Sequence, residues 1–256
     1  MKVAEAVGRA LAASGVDHVF GVVGSGNFHV TNALVAAGSR FVAARHEGGA
    51  ATMADAYARM SGTVAALSVH QGCGLTNALT GIAEAAKSRT PLLVLAAEAT
   101  SPASNFAVDQ DALARAVGAV PLRVTSAADA VGQARAAVRH ALCARRTVLL
   151  NLPLDVQAED VPDGVPDHVA PPDRPAAVVP EPGDIATLTG LLDAARRPVF
   201  VAGRGARTPG ARDALAALAD RYGALLATSA VARGLFAGDP GRSTSPAASP
   251  HPWPPN

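Results

Sequence analysis

The stretch RHEGGAATMADAYARMSG, residues 45 to 62, places one carboxylate, Glu47, between the end of an apolar run and two glycines that open an alanine-rich helical pattern. An acid at a helix N-terminus is ordinarily a partner for the helix dipole. Gly48 and Gly49 add a second reading, because missing side chains let a flat ligand approach the backbone closely. A second group lies in VHQGCGLTN (69–77), where His70 follows an apolar run. An imidazole there can relay protons near neutral pH or simply anchor its loop. Cys73 stands three residues on, but with no orienting acid in view a small buried thiol is a simpler account than a nucleophile pair. Thr76 and Asn77 read as caps for the helix that follows, with Asn77 also able to line a pocket.

Gly24-Ser25-Gly26 after an apolar run invites a dinucleotide-binding reading. The G-x-G-x-x-G pattern needs glycine at position 29, where His29 stands, and Gly203-Arg204-Gly205 fails in the same way at Thr208. Tight strand-to-helix turns account for these glycines. A nicotinamide-dependent oxidoreductase is therefore the weaker alternative.

These residues must be positioned by something, and the pattern up to about residue 152 supplies it. Short β-branched runs near 18–23, 41–45, 64–69, 92–97, 121–125 and 147–152 alternate with helical patterns near 27–37, 48–60, 75–87, 109–117 and 127–144, after an amphipathic helix in MKVAEAVGRALAASG. Ser126 with Asp129 has capping-box spacing and is expected to open the last of these helices. The alternation predicts an α/β domain, a doubly wound six-stranded parallel sheet with helices on both faces. Ligands of such sheets bind beyond the carboxyl ends of the strands, where the segments 24–28, 46–49, 70–74 and 98–110 fall.

Eight prolines between Pro153 and Pro182 mark an extended linker. The pattern resumes with a helix near 184–195, a strand near 198–203, a helix near 209–222 and a strand near 224–229, part of a second α/β domain. The ending GRSTSPAASPHPWPPN is rich in Pro and Ser and lacks apolar periodicity, so it is expected to be disordered. The expected organisation is residues 1–157 as one domain, 158–182 as linker, 183–240 as a partial domain and 241–256 as tail.

Hydrophobic residues make up 49% of the chain, enough for a packed core. With 22 basic against 21 acidic residues and no basic run, nothing suggests a nucleic-acid footprint or a membrane-surface patch. The partners expected are small molecules or other protein chains. The N-terminal pattern is broken by Glu5 and Arg9, unlike a signal peptide, and no apolar stretch reaches spanning length. Cys73 and Cys143 lie far apart without a C-x-x-C spacing, which argues against a disulfide framework or a zinc site and for a reducing, cytoplasmic setting. Lys2 and Lys87 are the only lysines among many arginines and alanines, a bias ascribed to GC-rich coding sequence.

RHEGGAATMADAYARMSG followed by VHQGCGLTNALTGIAEAAKSRTPLLVLAAE resembles the pyrimidine-binding domain of thiamine-diphosphate-dependent enzymes, in the acetolactate synthase and benzoylformate decarboxylase group. VFGVVGSGNFHVTNAL, DQDALARAVGAV and VLLNLPLDVQ resemble further segments of that family in the same order, and residues 183 to 240 resemble the start of its central domain. The resemblance implies that the carboxyl of Glu47 hydrogen-bonds the N1′ nitrogen of the aminopyrimidine and favours the imino form that removes the thiazolium C2 proton. Such proton sharing works best in a pocket that excludes water. It also implies an active-site role for His70 and, from the family's F-Q-E segment, an acceptor-side role for Gln110, although Asp109 stands where that segment has Phe. Gly24, Ser25, Gly26, Gly72, Gly74 and Asn77 would line the cofactor with Glu47. A solvated helix start is the plainer reading of Gln110.

The same family binds the diphosphate through magnesium held by a G-D-G segment in a third domain. No such segment is present: Gly238-Asp239 is followed by Pro240, and Asp163-Gly164 lies in the proline linker. The chain therefore reads as a truncated or frameshifted member, binding thiamine diphosphate weakly alone, either a homo-oligomer or completed by a partner chain that carries the magnesium and diphosphate-binding domain. The substrate implied is a 2-oxo acid, decarboxylated or ligated to a second carbonyl compound. A flavin near Gly203 to Gly205 is left open. The alternative is a noncatalytic interaction fragment, whose small alanines at 50, 51, 54, 56 and 58 suit close packing in a homo-oligomer.

Overall fold

The computed structural model describes residues 1–164 and 178–238, in two compact units, 1–176 and 177–256. The first unit runs α1 (Val3–Ala13), β1 (His18–Gly21), α2 (Phe28–Ala36), β2 (Arg40–Ala43), α3 (Glu47–Ser61), β3 (Ala65–Val69), α4 (Cys73–Lys87), β4 (Leu92–Glu98), α5 (Gln110–Ala116), β5 (Val120–Arg123), α6 (Ala130–Cys143), β6 (Thr147–Pro153) and α7 (Leu154–Ala158). All six strands are parallel in the order β2-β1-β3-β4-β6-β5, the doubly wound sheet expected from the alternating pattern.

The central strands read as near-continuous apolar runs because both of their faces are covered. Val3, Val7 and Leu11 of α1, Val30 and Leu34 of α2 and the alanines of α6 pack on one face against Val19, Ala66, Leu93 and Leu150. Ala50, Ala51 and Ala54 of α3, Leu75, Ala78 and Ile82 of α4 and Ala114 of α5 pack on the other, against Phe20, Leu67, Val94 and Leu149. Alternate residues of each strand thus feed opposite cores.

The α3–α4 pair is unusually close. A Cβ on Gly81 would stand 2.5 Å from that of Ala51 and 3.2 Å from its backbone, so only glycine fits. Asp55 then ties α3 to the end of α4: its carboxylate accepts from Arg59 at 2.8 and 2.7 Å and from the buried Thr90 hydroxyl at 2.6 Å, while Arg59 reaches Glu84 at 3.2 Å. Partial burial by itself would lower the Arg59 pKa, but hydrogen bonds to Asp55 and Glu84 outweigh it and hold the guanidinium above its ordinary value. Gly81→Ala gains about 1 kcal/mol of helix propensity but incurs an overpacking cost near the upper end of about 1–3 kcal/mol. A net loss of about 1–2 kcal/mol is expected from the shift in urea midpoint.

Several local expectations are corrected. Ser126 and Asp129 bond to each other, the hydroxyl at 2.7 Å from the carboxylate and the Asp129 amide at 3.2 Å from the hydroxyl, so they close a turn and α6 starts only at Ala130. Helix α4 starts at Cys73 with Gly72 as its cap, and Thr76 lies inside it, its hydroxyl donating to the Cys73 carbonyl at 3.1 Å. Past Pro153 the chain forms α7, which the proline count hides. The strand-like bridge between Lys2 and Asp160 and the 2.9 Å ion pair of their side chains hold the segment after α7 to the start of α1. Four of the five alanines proposed as an assembly surface, at 50, 51, 54 and 58, are buried in this chain's own core, and Ala56 alone is exposed.

The second unit contains α8 (Pro182–Ala194), β7 (Val199–Ala202), α9 (Ala211–Tyr222) and β8 (Leu225–Thr228), with β7 and β8 parallel. Phe236, Leu226, Ala202 and Ala219 form its small core. The linker residues 165–177 and the tail 241–256 lie outside the described residues. Among the described residues no helix is long and apolar enough to cross a membrane.

Candidate active site

In the strand order, β1 and β3 are neighbours from which the chain winds in opposite directions, so the loops after them frame the crevice where doubly wound sheets hold ligands. The loop after β1 carries Gly24 to Gly26 and the turn after β3 carries His70 to Gly72. A buried hub fixes the first loop. The Asn27 amide donates to Ser68 Oγ at 2.9 Å and to the Val22 carbonyl at 3.2 Å, and its oxygen accepts the Gly24 N–H at 2.8 Å. Thr31 completes the hub with a 2.8 Å hydroxyl contact to Ser68.

His70 meets this loop. Its Nδ1 lies 3.2 Å from the Gln71 carbonyl, which can only accept, so Nδ1 carries the proton. In the neutral ring Nε2 is then the acceptor, and it lies 3.3 Å from the Ser25 hydroxyl, which donates to it. The ring meets Phe106 edge-on with centroids 5.0 Å apart. Gly24 lies flat against His70, where a side chain would strike the imidazole, and Gly26 packs in the same way on Gln71.

Glu47 is the first residue of α3, half-buried, behind His46, whose Nδ1 caps the helix by accepting the Gly48 N–H at 3.0 Å. Its Oε2 accepts from the Asn77 amide of α4 at 3.2 Å. Gly74 lies between the two acid–base candidates: a Cβ there would stand 3.0 Å from the His70 Cβ and 3.7 Å from Glu47 Oε1. Glu47, His70, Gly74, Asn77 and Ser25 therefore form one group, open to solvent on the side of Asn77 and Ser25.

Gln110 sits elsewhere. Neither a solvated helix start nor a rim residue, it is 2% exposed, accepting the Gly72 N–H at 3.4 Å and donating to Asn151 Oδ1 at 2.7 Å. Asp109, where the resemblance has Phe, caps α5 by accepting the Ala112 N–H at 2.8 Å. Cys73 is exposed at the first position of α4. Ser25 and Gly26 also wall a cleft of about 680 Å³ with Lys2, Glu5, His29, Asn32 and Gln157. Lys2 is paired with Asp160 and Glu5 with Arg9, so its charged walls are already neutralised.

Sequence reasoning missed Asn27, Thr31, Ser68 and Asn151. The usable signal was polarity inside apolar runs: Ser68 in VAALSV and Asn151 in TVLLNL are buried polar groups, which require partners. Among the described residues no group of three or more His, Cys, Asp or Glu side chains is placed to hold a metal ion.

A doubly wound sheet whose switch-point crevice carries a helix-terminal carboxylate beside a histidine and small, glycine-lined surfaces defines a cofactor-binding α/β module. Residues 1–119 match the thiamine pyrophosphate enzyme N-terminal TPP binding domain, and residues 185–246 match the central domain of the same enzymes. The chain belongs to the thiamine-pyrophosphate-dependent enzyme family. It is 36% identical over 245 residues to the probable 2-ketoarginine decarboxylase of Pseudomonas aeruginosa, covering 92% of this chain and 43% of that protein. It is 32% identical to the sulfoacetaldehyde acetyltransferase of Rhodobacter capsulatus, covering 89% and 39%. To human 2-hydroxyacyl-CoA lyase 2 it is also 32% identical, covering 91% and 43%. The thiamine diphosphate-dependent 4-hydroxybenzoylformate decarboxylase of Rhodococcus jostii RHA1 superposes with a TM-score of 0.74 at 24% identity, over 90% of this chain and 44% of that one, and so shares the fold. The chain spans less than half the length of these relatives.

Proposed function

We propose that this chain is the pyrimidine-binding portion of an acetolactate synthase-like 2-oxo acid decarboxylase or carboligase, completed by a second polypeptide that carries the diphosphate and magnesium site. The observation that carries the reading is the convergence of Glu47, Asn77 and His70 around Gly74 at the sheet's switch point. When bound, thiamine diphosphate supplies a carbon acid that adds to the carbonyl of the 2-oxo acid and takes up the electrons released with carbon dioxide. Glu47 holds a proton against the ring nitrogen of the aminopyrimidine. Asn77 fixes the other carboxylate oxygen, leaving Oε1 for that task. Gly74 keeps the space between Glu47 and His70 free of a side chain.

His70 faces the substrate side with Ser25. The hydroxyl donates to Nε2 in the neutral ring, and a proton arriving at Nε2 can be passed to a developing alkoxide or carbanion. His70→Ala is expected to leave cofactor affinity within about twofold and to lower decarboxylation about 10²-fold, the low end of what a positioned proton donor supplies.

Calorimetric titration with thiamine diphosphate and magnesium tests the assignment. Weak heat with the chain alone and tight binding once a diphosphate-domain chain is added are expected, with both weakened in Glu47→Gln. Binding insensitive to Glu47, or equally tight with NADH, overturns it.

A further inference from the structure

We infer that Asn151 is a positioning residue that holds the His70 turn in place through Gln110. The inference rests on the reading above only for what that turn does in catalysis. Asn151 lies on β6, fully buried, 40 and 41 positions from the Asp111 and Gln110 side chains that it bonds. Its Nδ2 donates to Asp111 Oδ1 at 2.7 Å and its Oδ1 accepts from Gln110 Nε2 at 2.7 Å. Gln110 in turn presents Oε1 to the Gly72 N–H at 3.4 Å.

The polarity of this chain of amides is set from one end. The Asp111 Oδ1 that also meets Arg123 accepts the Asn151 amino group, which leaves the Asn151 oxygen for the Gln110 amino group. The Gln110 oxygen is then the end that faces Gly72, whose N–H needs an acceptor. Asp111 is itself anchored by Arg123 at 3.2 Å, and Arg123 forks onto Glu98 at 2.8 and 2.6 Å. That hydrogen bond to Glu98, against partial burial, holds the Arg123 guanidinium above its ordinary pKa. The acid that orients the network is thus fixed by a permanent cation.

Gly72 needs the support. Its φ of +62° is a backbone state that side-chain-bearing residues rarely adopt, and a Cβ there would stand 2.6 Å from the Phe106 carbonyl oxygen. The turn is wedged between Gln110 behind it and the loop from β4 to α5 beside it, and Phe106 of that loop meets the His70 ring. Without the Asn151 amide, Gln110 Nε2 loses its partner and the side chain rotates to regain one. The long Gly72 bond is the first to break.

The test uses the full chain, with Asn151→Leu and, as a second variant that leaves Asn151–Asp111 intact, Gln110→Met. Two signals are read by NMR: exchange of the Gly72 amide, and the His70 ring resonances, assigned with His70→Asn and referenced to Phe106→Leu, which lacks the neighbouring ring current. Both variants are expected to speed Gly72 exchange about tenfold, the effect of one lost hydrogen bond, and to move the His70 signals toward their Phe106→Leu positions. Amides of β1 and β3 should be unaffected. Unchanged Gly72 and His70 signals, equal acceleration throughout the sheet, or failure of both variants to fold would each overturn the positioning role. If the parent chain shows these signals but binds no thiamine diphosphate even with a diphosphate-domain chain added, the functional reading fails and the role of Asn151 stands.

Discussion

Glu47→Gln, in the chain completed by its diphosphate-domain partner, is expected to slow exchange of the thiazolium C2 proton by about two to four orders of magnitude, the range for removal of a positioned acid or base. The substitution isolates the proton. Glutamine has the same shape, can still accept the Asn77 amide at the position now 3.2 Å away, and leaves the glycine surfaces untouched. It cannot share a proton with a ring nitrogen. Cofactor affinity should therefore fall much less than exchange does, by about tenfold at most, the worth of one charge-assisted hydrogen bond at a half-exposed site. Asn77→Ala should act in the other proportion, because it frees the carboxylate to swing without removing it. Exchange in Glu47→Gln within a factor of three of the parent would remove Glu47 from the chemistry and leave it as a partner of the α3 dipole.

How far such a site can be read in a sequence depends on how local its causes are. The strands were legible because a parallel sheet covered on both faces demands near-continuous apolar runs, and β3, β4 and β6 have them apart from single polar residues such as Ser68 and Asn151. Glu47 and Gly74 were legible because each sits in a short stretch whose spacing is fixed by one turn and one helix start. Gln110 was legible as a residue but not as a role. Its burial is decided by Asn151, 41 positions away, and by a turn 38 positions before it. Asn27 escaped for the same reason, since its partner Ser68 lies 41 positions on. The alanine face of α3 was visible, yet its partner was misassigned. Small residues say that something approaches closely, and only the position of Gly81 shows that it is α4 of the same chain. Ser126 and Asp129 misled in the opposite sense, because a pair with capping-box spacing can satisfy itself and leave the helix to start later.

Asp55→Ala is expected to cost the first unit about 3 kcal/mol, the lower end of the cost of breaking a buried ion pair from one side. The lower end applies because the Arg59 side chain keeps 23% exposure and retains Glu84, whereas that of Asp55 is only 9% exposed. The larger share of the loss falls on Thr90, fully buried, whose hydroxyl would be left without the carboxylate it now meets at 2.6 Å. Asp55→Asn should cost less, since its oxygen can keep the Thr90 bond while its amino group turns toward Arg59. The consequence reaches the site. α3 and α4 carry Glu47 and Asn77 near their N-termini, and the two helices are held in register at one point by Gly81 against Ala51 and at a second by Asp55 through Thr90 and Arg59. Two points fix both the spacing and the rotation of a helix pair, whereas one fixes only the spacing. With Asp55 gone, α3 can pivot about Ala51, the 3.2 Å Glu47–Asn77 bond lengthens, and cofactor affinity should fall together with the urea midpoint. A midpoint shift without any change in affinity would show that the Gly81 contact alone sets the register, and that the acid network stabilises the helices without aiming them.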